Sequence, residues 1–132
     1  MFDKKDLSVG MTVYLRVIPG SNLARTWGSN NEIIKAEILE IRKIYIEAKT
    51  EKILPYNIRF RYDPNRNDIR RFHNDDTEMY LTEQDAKNAI LALETIKNCS
   101  KNISRLYTAY GTVITLEDAL AINEILKKYE KE

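Results

Sequence analysis

The sequence has few of the residues on which catalytic and redox sites usually depend. It contains one cysteine, Cys99, and one histidine, His73, among 132 residues. No internal disulfide can therefore form, and a Cys/His pair or a Ser/His/Asp triad would have to use His73. The four glycines are isolated from one another, which excludes a Walker-type phosphate loop and a dinucleotide-binding glycine fingerprint. We expect no cofactor, and we expect Cys99 to be a buried, inert thiol.

Long apolar runs are also missing. No run approaches the ~20 residues that a membrane-spanning helix needs, and residues 1–6 lack the apolar stretch of a signal peptide. The sequence therefore predicts a cytoplasmic protein with no membrane partner.

Neither sign of charge dominates the chain. Lys and Arg number 21 and Asp and Glu number 20, so the net charge of +1 argues against nucleic-acid or membrane binding by bulk electrostatics. The distribution is uneven, however. Residues 1–76 hold 14 basic and 11 acidic residues, a net charge of +3, and residues 77–132 hold 7 and 9, a net charge of −2. The first half is mildly basic and the second mildly acidic.

The spacing of apolar residues changes once along the chain. It is close to two as far as about Leu81 and close to 3.6 afterwards. We therefore predict a single α+β domain over residues 1–132, with a β part at about 9–81 and a helical part at about 82–130. The β part is expected to be a small twisted antiparallel sheet or barrel of four or five strands, followed by two helices.

Alternation of apolar and polar residues sets the predicted strands. These are Thr12–Ile18, a hairpin formed by residues 32–41 and 44–49, Ile58–Tyr62, and a short strand at Glu78–Leu81. Between the first two strands, residues 21–31 are rich in Asn, Ser and Gly, which favours a long surface loop.

Two threonines mark the predicted helix starts. Thr82 and Thr115 each precede two acidic residues, the pattern of an N-cap with negative charge in the first turn. Apolar residues then recur at helical spacing as far as about Cys99 in the first helix and Lys127 in the second. We expect the first helix to pack on the sheet and the second to close the domain, with residues 103–110 as a helical turn or connector.

The main candidate for function is a segment in which arginines alternate with aromatic residues. Arginine can contact phosphates and aromatic rings can stack on bases, so this combination is typical of a surface that binds single strands or another anionic partner. The candidate residues are Arg59, Arg61, Arg66, Arg70, Arg71 and Phe72. Strand alternation predicts that Phe60 and Tyr62 point inward while Arg59 and Arg61 face solvent. The alternative is an ordinary exposed face of mixed charge, in which Asp63 and Asp68 offset two arginines.

The predicted loop at residues 21–31 is a second candidate. Asn22, Arg25 and Trp27 lie within it, and an exposed arginine or tryptophan in a long loop is a typical anchor for a partner. The alternative is that Trp27 folds back over the end of the sheet.

His73 lies close to Asp75 and Asp76, which raises the alternative of a metal or acid/base site. A catalytic zinc site generally needs three protein ligands on a rigid scaffold, whereas this short stretch has the composition of a polar turn. We therefore assign no catalytic and no metal-binding residues.

Several short motifs resemble a known group of proteins. They are Val9-Gly10 before Val13-Tyr14, Asn22-x-Ala24-Arg25, Ile34-x-Ala36-x-Ile38, Arg42-Lys43-x-Tyr45 and Tyr80-Leu81-Thr82. In these the chain resembles small bacteriophage and Firmicute proteins described only as β-barrel domain proteins, although it lacks a glycine just before Arg42. The resemblance implies an SH3-like or related small barrel and a mobile-element setting, without a mechanism.

These features together predict a non-enzymatic binding protein of phage or prophage type in the host cytoplasm. It would engage a protein or a nucleic acid through the barrel and the arginine-rich segment. One alternative is an inhibitor of a host defence enzyme such as a CRISPR nuclease, and another is a small enzyme centred on His73. An exposed edge strand could also pair two copies into a homodimer.

Overall fold

The computed structural model describes residues 2–51 and 57–130, and its main feature is a nearly closed antiparallel β-barrel. Its six strands are β1 (Thr12–Val17), β2 (Ile33–Ile41), β3 (Tyr45–Thr50), β4 (Ile58–Tyr62), β5 (Phe72–His73) and β6 (Thr77–Tyr80). They are paired in the order β5-β4-β3-β2-β1-β6, and β5 also approaches β6. The predicted α+β class is confirmed, and the described sheet has six strands where four or five were expected.

Alternating residues of the strands fill the barrel. The buried side chains include Val13, Leu15 and Val17 of β1, Ile34, Ala36 and Ile38 of β2, Ile46 and Ala48 of β3, and Ile58 and Phe60 of β4. Fully burying one large apolar side chain contributes roughly 1.5–3 kcal/mol. The register of β2 against β3 shifts between Ile38 and Glu40, an irregularity of the kind that increases local twist.

The strand predictions agree with the structure to within one or two residues, except for β5. This two-residue strand follows a single 3₁₀ turn at Ile69–Arg71. Two residues are too few to show an alternation pattern, so the sequence did not reveal β5.

The prediction of a loop at residues 21–31 is wrong for its first half. Asn22–Trp27 forms a short helix, α1. The backbone N–H of Ala24 donates to the Ser21 side chain at 3.1 Å, which caps the start of the helix. Gly28 ends it in the left-handed conformation with φ of 65°. Leu23 and Ala24 are buried in the core, which explains why this segment orders as a helix.

Helix α2 (Glu83–Ser104) is longer than predicted. The Asp85 backbone N–H donates to Thr82 Oγ1 at 3.1 Å, so the predicted cap is present. Ala86 is the one residue of α2 that is buried in the described structure. Cys99 is exposed, and the prediction of a buried thiol is therefore wrong. The apolar residues lie on a helix as their spacing predicts, but the apolar stripe does not extend the core as far as Cys99.

A short hairpin follows α2 where a helical turn or connector was expected. Its strands are β7 (Tyr107–Thr108) and β8 (Gly111–Thr112). Helix α3 (Leu116–Lys127) begins as predicted, with the Asp118 backbone N–H donating to Thr115 Oγ1 at 3.1 Å.

Contacts within the chain divide it into two compact units, residues 1–91 and residues 92–132. The barrel and α1 belong to the first unit, and the β7–β8 hairpin and α3 belong to the second, with α2 contributing to both. A single domain stays a prediction. In the part of the chain that the structure describes, no helix has the length and apolar character to span a membrane.

Candidate anion-binding surface

Strand pairing places three side chains in a row on the outer face of the barrel. Tyr45 of β3 is opposite Arg61 of β4, and Arg61 is opposite His73 of β5. Residues directly opposite each other in antiparallel strands point to the same face. The next residues in the pairing, Phe60 and Phe72, are buried, so the row faces solvent.

Arg59 lies beside this row and stacks on its tyrosine. The centre of the Arg59 guanidinium is 4.1 Å from the centroid of the Tyr45 ring, and Nη2 is 3.6 Å from the Glu47 carboxylate. The Arg59 side chain is still 59% exposed. A planar guanidinium held against a tyrosine ring is a preformed platform on which a further flat group can stack.

Two shallow pockets flank the row and share Arg61, Tyr62 and His73. One, of about 400 Å³, is lined by Arg61, Tyr62, Asp63, Arg66, Arg70 and His73. The other, of about 480 Å³, is lined by Ile44, Tyr45, Arg59, Arg61, Tyr62, His73, Asn74 and Asp75. We call Tyr45, Arg59, Arg61, Arg66, Arg70 and His73 the arginine surface. Tyr45 and Arg66 are half-buried, and the other four are exposed.

The arginines of this surface differ in their partners. Arg66 binds Asp68 with Nη2 to Oδ2 at 2.9 Å, and this hydrogen bond is the largest cause that lowers the pKa of Asp68. Arg61 and Arg70 are exposed, and neither makes an ion pair with any carboxylate in residues 2–51 and 57–130. Arg61 and Arg70 are therefore the guanidinium groups with most freedom to bind an external anion.

Two residues predicted to bind a partner have structural contacts instead. Arg71 Nη1 lies 2.8 Å from Asp3 Oδ2, and Arg71 Nε donates to the Arg66 carbonyl oxygen at 2.7 Å. Phe72 is buried, and its ring stacks on Phe2 with 4.8 Å between centroids. Arg71 and Phe72 therefore have partners within the chain and are not counted in the arginine surface, and their role in binding a partner stays a prediction. The 3₁₀ turn before β5 directs Arg71 towards the amino-terminal segment and Phe72 into the core.

An interaction with the amino-terminal segment fixes the end of β4. The Tyr62 hydroxyl donates to Asp3 Oδ1 at 2.6 Å, and Lys4 Nζ lies 4.6 Å from the centre of the Tyr62 ring. The hydrogen bond from Tyr62 is the largest cause that lowers the pKa of Asp3, and it raises the pKa of Tyr62. Because these residues are far apart in the sequence, local patterns could not reveal the contact.

His73 and Asp75 form a pair on the surface, with 3.0 Å between His73 Nε2 and Asp75 Oδ1. Asp76 points elsewhere, since its carboxylate accepts the Leu23 backbone N–H at 3.5 Å. The structure thus brings together two of the three residues of the alternative enzyme hypothesis. Among the residues that the structure describes, no group of three or more His, Cys, Asp and Glu side chains could hold a metal ion.

The second predicted candidate lies on α1, which follows β1 and precedes β2 in the chain. Arg25 Nη2 donates to Asn22 Oδ1 at 2.7 Å, and both side chains are exposed. Trp27 is half-buried and packs against the core, which matches the alternative that it folds back. Sequence reasoning missed Tyr45 as a member of the arginine surface because its place depends on strand register.

No protein-family model, curated protein or solved structure matches this chain. The resemblance to phage and Firmicute β-barrel domain proteins therefore stays a prediction, and a function has to be argued from the arginine surface itself.

Proposed function

We propose that this is a non-enzymatic binding protein of phage or prophage type whose arginine surface binds single-stranded nucleic acid. The observation that carries the proposal is the row of Tyr45, Arg61 and His73 across three strands, with Arg59 stacked on Tyr45. This arrangement combines exposed cations with an aromatic platform on a rigid sheet.

The chemistry of a single strand fits both parts of the surface. Its phosphates can accept hydrogen bonds from guanidinium groups such as those of Arg61 and Arg70. Its unpaired bases expose flat faces that stack on aromatic rings or on guanidinium planes, as the Arg59–Tyr45 pair provides. In a duplex those faces are covered by neighbouring base pairs. We therefore expect single strands to bind more tightly than duplex of the same sequence.

The partners of the arginines limit the expected strength of binding. Arg59 and Arg66 already lie close to Glu47 and Asp68, so each would bring little net charge to a phosphate. On a single strand each phosphate contact lowers log K, the logarithm of the association constant, by roughly 0.7 for each tenfold increase in salt. The two free guanidinium groups therefore predict a small salt dependence, a fall of about 1.4. Binding is therefore expected to be weak at physiological salt.

The test is fluorescence anisotropy with labelled oligo-dT, oligo-U and a mixed-sequence duplex at low salt. Arg61→Ala and Arg70→Ala should each weaken binding of the single strands. Arg105→Ala is the matched control, because Arg105 is an exposed arginine outside the barrel. Absence of binding at low salt, or an equal loss in all three variants, would rule out the arginine surface as the binding site.

A further inference from the structure

The second compact unit lacks a buried interior of its own. Within residues 92–130 every described side chain is at least partly exposed. The most buried are half-buried, and these are Leu93, Leu106, Ile114 and Ile122. Chains of about 40 residues rarely fold alone without disulfides, metals or oligomerisation, because they bury too little apolar surface to offset the loss of chain entropy. This unit therefore needs a further surface to pack against.

The unit also exposes an unusual amount of apolar surface. Eight large side chains of the hairpin and α3 region are between 55% and 100% exposed: Tyr107, Tyr110, Val113, Leu116, Leu120, Ile125, Leu126 and Tyr129. Taking roughly 150–200 Å² for each side chain when fully exposed, their exposed parts amount to about 850–1,100 Å². That total is of the order of the ~800 Å² that each partner contributes to a standard protein–protein interface.

The charges of α3 indicate which partner fits. Glu117 and Asp118 lie in its first turn, and Lys127 and Lys128 lie at its end. In the described part of the chain Glu117, Asp118 and Lys128 form no ion pair, and Lys127 pairs with Glu124 of the same helix, with Nζ to Oε1 at 3.1 Å. Two copies of α3 running in opposite directions would place the acidic end of each beside the basic end of the other. Two parallel copies would place like charges together.

We propose that residues 92–130 bind the same unit of a second copy of this chain, with the two α3 helices antiparallel. A two-fold axis makes such a surface complementary to itself, since each contact occurs twice. The pairing covers the exposed apolar side chains and brings the unpaired Glu117, Asp118 and Lys128 beside charges of opposite sign. It makes the protein a dimer that carries two arginine surfaces, and it does not depend on whether those surfaces bind nucleic acid.

The first experiment measures the mass of the full chain in solution. Nuclease-treated protein is analysed by sedimentation equilibrium over a wide range of concentrations, which separates self-association from bridging by nucleic acid. A monomer–dimer equilibrium or a stable dimer is expected. A monomer at every concentration would overturn the proposal and would show that the apolar side chains are covered within one chain or by a different protein.

The second experiment tests the antiparallel arrangement by mixing two charge-reversed variants. Variant A carries Lys127→Glu and Lys128→Glu, and variant B carries Glu117→Lys and Asp118→Lys. Each variant alone brings like charges together at both ends of the helix pair, and its dimer dissociation constant should rise about tenfold. In the mixed dimer opposite charges face each other again at both ends, so mixing A and B should restore most of the lost affinity.

Mixing the variants distinguishes the loss of charge pairing between two copies from a direct effect of the substitutions on the stability of α3. Both variants place charges unfavourably for the helix dipole, which weakens α3 in each chain and cannot be repaired by mixing. Circular dichroism of each variant checks that the helices remain. Lys35→Glu with Lys43→Glu is the control, because these exposed lysines lie on the barrel, and this variant should dimerise like the original protein. Unchanged affinity in each variant alone would contradict the antiparallel dimer, because parallel helices place like charges together in the original protein as well. Failure of the mixture to recover affinity would also contradict it.

Discussion

Replacing Arg61 by alanine should lower both the affinity of the arginine surface for single-stranded nucleic acid and the salt dependence of that affinity. Arg61 is exposed and lies between Tyr45 and His73 in the row across β3, β4 and β5. If Arg61 and Arg70 each neutralise one phosphate, the slope of log K against log salt is about −1.4, and Arg61→Ala should reduce it to about −0.7.

The same slopes give the expected loss of affinity. One phosphate contact contributes a factor of about eight in K at roughly 50 mM salt and a factor of about three at roughly 200 mM. The difference between the original protein and Arg61→Ala should therefore shrink as salt is added. A loss caused by misfolding would not show this dependence.

The assay is anisotropy of a labelled oligo-dT titrated at four or five salt concentrations. Arg61→Lys keeps the charge and should keep a slope near −1.4, although it loses the planar guanidinium. Arg105→Ala should behave like the original protein. An unchanged slope in Arg61→Ala, or a slope that Arg105→Ala lowers equally, would show that Arg61 does not contact a phosphate.

Three further substitutions test the structure around the site. Glu78→Ala removes the carboxylate that lies 2.7 Å from the buried Arg16 guanidinium, and urea unfolding should show a loss of about 2–4 kcal/mol because the charge is left without its ion-pair partner. Asp3→Asn should destabilise the protein mainly above the ordinary pKa of 3.8, since the Tyr62 hydrogen bond lowers the folded pKa of Asp3. The difference in unfolding free energy between Asp3→Asn and the original protein should disappear as the pH falls through that lowered pKa. A difference that persists in acid would contradict a stabilising role for the ionised Asp3 carboxylate. Ser21→Ala removes the cap of α1 and should cost about 1 kcal/mol in urea unfolding, whereas no loss would show that the cap is not needed.

The strands could be predicted from the sequence because one face of each packs into a common interior. Residues such as Val13, Leu15 and Val17 alternate with less buried neighbours, and the period of two follows directly from strand geometry. The helix starts were predictable for a similar reason, since Thr82 and Thr115 cap their helices through local contacts. Helix α1 was not predicted, because six residues between Ser21 and Gly28 are too few to show a helical period.

The candidate site was predictable only in part. Strand alternation correctly directed Arg59 and Arg61 to the surface. The positions of Arg71 and Phe72 depend on a 3₁₀ turn and on contacts with Asp3 and Phe2, which a local pattern does not contain.

The residues that lie opposite each other on neighbouring strands could not be predicted from the sequence either. Tyr45 became part of the surface through the register of β3 against β4, which the alternation within each strand does not specify.

A nuclear magnetic resonance titration of ¹⁵N-labelled protein with oligo-dT at low salt tests the arginine surface most directly. The amide and side-chain signals that shift should belong to Tyr45, Arg59, Arg61, Arg70 and His73 and to their immediate neighbours. Shifts confined to α1 or to residues 92–130, or no shifts at all, would contradict the claim that the arginine surface binds single-stranded nucleic acid.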